Sequence, residues 1–121
     1  SDPRARVTEL SRAYVRWAVA HPDYYQVMFG AETKDKADRP GLLAAGAQAF
    51  NTLLGVITEG LEAGLLQGDD PLKLAGPMWS MVHGIAALAI GGDLHHAGID
   101  EDPEHLAARA TNDLLDGLGR A

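Results

Sequence analysis

The sequence has no cysteine, which excludes disulfide frameworks and thiolate metal sites and suits a reducing cytoplasm, the location expected for it. Its apolar runs fall far short of the roughly 20 residues of a membrane span, so no membrane association is expected. No signal peptide is visible. No segment alternates apolar and polar residues between turns, so strands are not expected. Without strands there is no phosphate-binding glycine loop of the strand-to-helix kind. Basic residues are few, 10 against 17 acidic ones, for a net charge of −7. Nucleic acid attracts basic surfaces through its phosphates, so this chain is a poor DNA binder by itself. Arg4, Arg6, Arg12 and Arg16 cluster early, with the spacing of a solvated helix face. Aromatics are only 6% of the chain.

Ala, Leu and Gly dominate instead. High Ala favours helix, whereas 14 glycines call for an explanation in a helical protein. The 121 residues fit one domain. A chain of this length buries about 65% of its unfolded surface and folds without metal or disulfide.

Helix signals run along the whole chain and predict an all-α fold of five helices. Ser1 or Asp2 caps the first, with Pro3 in its first turn. Val7, Leu10, Tyr14, Trp17 and Ala18 recur at helical period, and Leu10, Tyr14 and Trp17 form one stripe. His21-Pro22 ends it, because a residue before proline avoids the α region. A short second helix over 22–30 holds Tyr24, Tyr25, Val27, Met28 and Phe29, and Gly30 stops it. Residues 31–40 are charged and aperiodic, hence an exposed loop. A third helix over 40–65 carries the stripe Leu43, Ala47, Phe50, Leu54, Ile57, Leu61 and Leu65. Its glycines permit either close helix packing or room for a ligand.

A fourth helix starts at the cap Asp70 with Pro71 at its first position and continues to 91–92. Pro77 predicts a kink within it, or a restart. Its apolar residues go all the way round, so it needs cover on every side, and a second subunit is the natural cover. Residues 92–102 read as a polar loop. A fifth helix starts at Asp102-Pro103, with Leu106, Ala110, Asp113, Leu114 and Leu118 on its inner side.

The segment Met78-Trp79-Ser80-Met81-Val82-His83-Gly84 carries the most information. Trp79 and His83 stand four residues apart, on one helix face. Each has an apolar body and a polar nitrogen. Gly84 costs a helix about 1 kcal/mol relative to Ala, which makes sense where another backbone, a ring or a ligand comes close. The pair reads either as a core Trp with a satisfied core His or as the polar groups of a ligand pocket. Met28, Phe29, Phe50, Leu54 and Ile57 then supply apolar walls.

Other chemistry is thin. Asp93, His95, His96, Asp100 and His105 are metal-ligand types, but no His pair has i,i+4 spacing, so no metal site and no cofactor are expected. Ser80 and His83 can meet on a helix, yet no third orienting acid lies near and a serine inside a helix lacks an oxyanion hole. An enzyme is not expected.

The order of these features resembles the regulatory half of tetracycline-repressor-type (TetR) transcription regulators, in the subgroup with a Trp-x-x-x-His-Gly signature. Residues 13–18 through His21-Pro22-Asp23-Tyr24-Tyr25-Gln26-Val27-Met28-Phe29 are similar to the family's first two regulatory helices. A long helix with Phe50 and the Glu59-Gly60 ending follows, and then Asp70-Pro71 leads into Trp79, His83 and Gly84. The resemblance covers about residues 7–118. It implies a domain that binds a small apolar effector and forms a homodimer through its last two helices, as a dimeric four-helix bundle. The interface expected from it comprises Ile85, Leu88, Ala107, Ala110, Thr111, Leu114 and Leu118. No helix-turn-helix sequence occurs in these residues. DNA binding is therefore expected only of a parent protein, a repressor that the effector releases from DNA, through an N-terminal domain absent from this chain. A ligand-free helical dimerisation or adaptor module is the competing reading.

Overall fold

Local capping rules account for where the helices begin. In the computed structural model, which describes residues 2–23 and 40–118 apart from the side chains of 40–46 and 118, the first helix is α1, Pro3–Ala20. The Asp2 side chain accepts a hydrogen bond from the Arg4 N–H at 3.0 Å, and Pro3 takes the first turn, where no N–H is needed. At the other end the His21 N–H donates to the carbonyls of Trp17 and Ala18. The next described helix is α2, Pro40–Glu62. The third, α3, is Pro71–Ile90, capped by Asp70 through the Leu72 N–H at 3.0 Å. A single turn, α4, Asp93–His96, precedes α5, Pro103–Leu118. These five helices and no strand are found among the described residues.

Three boundaries differ from expectation. Helix α2 stops at Glu62 rather than 65, because Gly64 turns the chain at φ +72°. The N–H groups of Leu65 and Leu66 both donate to the Gly60 carbonyl, which brings Leu66 back over the helix. A methyl on Gly60 would lie 2.6 Å from Leu66 Cδ1 and 3.0 Å from Pro3 Cβ, so this glycine serves close packing. The stretch expected as a polar loop contains α4. Gly92, at φ +76°, starts that turn, and Leu94 is buried beneath it. Helix α3 runs through Pro77 without a restart. The helix expected over 22–30 lies outside the described residues beyond Asp23.

Helix α1 is the centre of the packing and touches α2, α3 and α5. Val7 joins Leu53, Ile57, Leu66, Leu74 and Met78 in the main core, and Val15 joins Val82, Ile85 and Ala107 in a second one. Each such side chain, fully buried, contributes about 1.5–3 kcal/mol. Polar ties fix α1 along α5. The Thr111 hydroxyl donates to Ser11 Oγ at 2.9 Å, with both residues buried. Arg4 donates to the Asn112 side chain and carbonyl and pairs with Asp116 at 2.8 Å. Arg16 pairs with Glu104 at 2.8 Å. Among the described residues, no helix is long and apolar enough to cross a membrane.

Candidate functional site

The Leu10–Tyr14–Trp17 stripe of α1 borders a cavity of about 450 Å3, whose other walls among the described residues come from α2 and α3. Helix α1 adds Ser11 and Ala13; α2 contributes Ala49, Thr52 and Leu53; α3 contributes Met78, Trp79 and Val82. Met78, Val82 and Leu53 are themselves buried, so the inner end of the space is anchored in the core. Trp17 is 37% exposed. A cavity of this volume, mostly apolar with a few polar groups, has the character of small-molecule sites.

Aromatic rings organise the wall. Tyr14 and Trp79 have ring centroids 5.3 Å apart, inclined by 57°. Phe50 meets Trp79 edge-on at 5.5 Å and 80°. Such inclined pairs are the favoured arrangement of aromatic quadrupoles. The His83 ring lies 5.9 Å from Trp79, one helical turn along α3, and shares a hydrogen bond of 3.0 Å between Nδ1 and the Tyr14 hydroxyl. Depending on the imidazole tautomer, either the Tyr14 O–H or the His83 Nδ1–H donates. The pair ties α1 to α3 across the edge of the cavity.

The other hydroxyls at the cavity serve their own helices. Ser11 Oγ donates to the Val7 carbonyl at 3.1 Å, and Thr52 Oγ1 donates to the Gln48 carbonyl at 2.9 Å. No charged side chain lines the space among the described residues. The ionisable groups with displaced pKa are two surface pairs, Arg16 of α1 with Glu104 of α5 and Arg109 of α5 with Glu101 just before it. The hydrogen bond from Arg16 holds the Glu104 carboxyl below its ordinary value, and that from Arg109 does the same for Glu101. Both carboxyls belong to ion pairs on the protein surface and are no part of the cavity.

The candidate residues read from the sequence fall in several places. Trp79 lines the cavity, and His83 stands behind it through Tyr14. Phe50 backs Trp79 from the side. Leu54 is half-buried against the main core, and Ile57 is fully buried within that core. Met28 and Phe29 lie outside the described residues. Tyr14 was legible as part of a helical stripe but not as a partner of His83, since no spacing rule relates residues 69 apart. Ser80 does not meet His83. Its hydroxyl donates to the Gly76 carbonyl at 2.9 Å on an exposed face. Among the described residues no group of three or more metal-ligating side chains is assembled; His95 Nδ1 lies 3.3 Å from the Asp100 carboxylate.

The expected dimer residues also divide. Ala107 and Thr111 are fully buried within the protomer, Ala107 beside Val15 and Thr111 on Ser11. Helix α1 of the same chain is therefore a neighbour for which these small residues make room. Ile85 is likewise buried in the second core. Leu88 is 45% exposed, Ala110 and Leu114 are half-buried, and the Leu118 side chain lies outside the described residues.

The profile of the family described as tetracycline repressor-like, C-terminal domain, matches residues 7–114. Neither the comparison with curated proteins nor that with solved structures found a match. With nearly its whole length inside the profile, the chain belongs to the tetracycline repressor-like C-terminal domain family.

Proposed function

We propose that this chain, as a tetracycline repressor-like C-terminal domain, is the effector-binding and dimerisation part of a cytoplasmic transcriptional repressor in the Trp-x-x-x-His-Gly subgroup. Its effector is a small apolar molecule, and the parent protein reads DNA through an N-terminal helix-turn-helix domain. The observation that carries this reading is the cavity of about 450 Å3 walled by α1, α2 and α3. It is apolar, aromatic on one side and held open next to a hydrogen-bonded Tyr14–His83 pair.

The exposed side of α3 supports a homodimer. Leu72 is 57% exposed and Leu88 45%, and among the described residues no atom lies within 4 Å of a methyl built on Gly76 or Gly84. A second copy packed along this face, with Ala110 and Leu114 of α5 at its edge, covers the apolar residues and brings the two α3 backbones close.

Release from DNA then follows from a population shift. Helix α1 carries Leu10, Tyr14 and Trp17 into the cavity, and the same helix is tied to α5 through Ser11, Arg4 and Arg16. A ligand that binds one placement of α1 better than another thereby biases α5, and with it the subunit contact. Native mass spectrometry of the purified protein tests both halves. The expected spectrum shows a dimer, with added mass where an effector is retained. A protein that stays monomeric at tens of micromolar and takes up no apolar compound contradicts the reading.

A further inference from the structure

We propose that the cavity selects uncharged aromatic molecules of roughly ten to twenty non-hydrogen atoms and rejects ions built on the same skeleton. This inference rests on the effector reading above and narrows it to a ligand class.

Aromatic residues border the space from two elements, Tyr14 and Trp17 from α1 and Trp79 from α3. The Tyr14 and Trp79 rings are inclined by 57° rather than stacked, and Phe50 already occupies one side of Trp79 edge-on. The two rings pack against each other as a bent aromatic wall, which offers a flat guest ring faces and ring edges, the two favoured aromatic geometries. Met78, fully buried, closes the inner end with an apolar side chain. An aliphatic guest of equal size gains the same burial but not these contacts.

Charge is excluded by the rest of the lining. No Lys, Arg, Asp or Glu lines the cavity among the described residues, and the Ser11 and Thr52 hydroxyls donate to their own helices. An ion entering the space sheds water without meeting a counter-charge, which costs more than its apolar part returns. Ring faces do attract cations. A cation cage, however, gains most where a carboxylate shares it, and none lines this one among the described residues. The size follows from volume. About 450 Å3 holds the equivalent of about fifteen waters at about 30 Å3 each.

The test is isothermal titration of the full chain with four probes of similar size: naphthalenemethanol, naphthoate, naphthylmethylammonium and decanol. Naphthalenemethanol is expected to bind about tenfold or more tighter than either ion and about threefold or more tighter than decanol. Trp17→Leu, at a position 37% exposed and with its melting temperature measured beside the parent's, is expected to bring the naphthalenemethanol-to-decanol ratio towards one. Binding of either ion on a par with the alcohol overturns the inference and leaves the cavity standing as a ligand site. So does decanol binding as tightly as the aromatic alcohol, or a ratio that Trp17→Leu leaves unchanged. Binding by none of the four probes overturns the effector reading and the ligand class together.

Discussion

Gly84 lies within α3, in a helix interior where glycine is the poorest residue after proline. Among the described residues of one protomer, nothing stands within 4 Å of a methyl built on it. Gly84→Ala should therefore stabilise an isolated subunit by about 0.8–1 kcal/mol from helix propensity alone. For a chain of this size that is a rise of about 3–6 °C in Tm. The dimer should respond in the opposite sense. If a second α3 lies against Gly84, the methyl is overpacked from both subunits at once. Overpacking costs about 1–3 kcal/mol per site, so the dissociation constant should rise at least about tenfold. The signature is a crossing. Thermal melts at low concentration, where monomer dominates, should show the variant more stable; melts at high concentration should show it less stable. Sedimentation gives the two dissociation constants directly. A variant that gains stability at every concentration and dimerises as tightly as the parent would refute the placement of Gly84 under a partner.

Two further predictions concern the seam between α1 and α5. Thr111→Val keeps the shape but removes the hydroxyl that donates to Ser11 Oγ in a fully buried position, and should cost about 1 kcal/mol in denaturant titration; a neutral effect would remove this bond from the account of how α1 and α5 move together. Glu104, whose carboxyl is held low chiefly by the Arg16 hydrogen bond, contributes stability that is present above the ordinary carboxylate pKa of about 4.3 and lost as pH falls through its own lower value. Glu104→Gln should flatten the acid limb of the stability profile in that window, modestly because the pair is solvent-exposed, and should change nothing at alkaline pH; an unchanged acid limb would refute it.

Much of the fold could be read from local signals, because those signals are local physics. Asp2-Pro3 and Asp70-Pro71 start α1 and α3 through caps that depend on adjacent residues alone. The end of α2 could not be read so closely. The stripe continues to Leu65, but the chain turns at Gly64 and folds Leu66 back onto Gly60, beside Pro3 of another helix. The α4 turn was hidden because its one apolar anchor, Leu94, sits among polar residues. In the site, the four-residue spacing of Trp79 and His83 was legible, whereas the Tyr14 partner of His83 comes from another helix. Ala107 and Thr111 are small where α1 of the same chain lies close, and small size by itself cannot tell which helix approaches.

The central claim is that the space between α1, α2 and α3 receives a small molecule. Ala49 lines it from α2 and is half-buried, so Ala49→Phe fills the space from a helical position. The decisive measurement is the thermal shift of the parent and of Ala49→Phe, run in parallel against a broad panel of apolar compounds. The account predicts that at least one compound raises the parent Tm by linkage, and that the variant keeps the parent's own stability but responds to none. A parent that responds to nothing, together with a variant destabilised by about 1–3 kcal/mol from overpacking, would show a closed core where the account places a binding site.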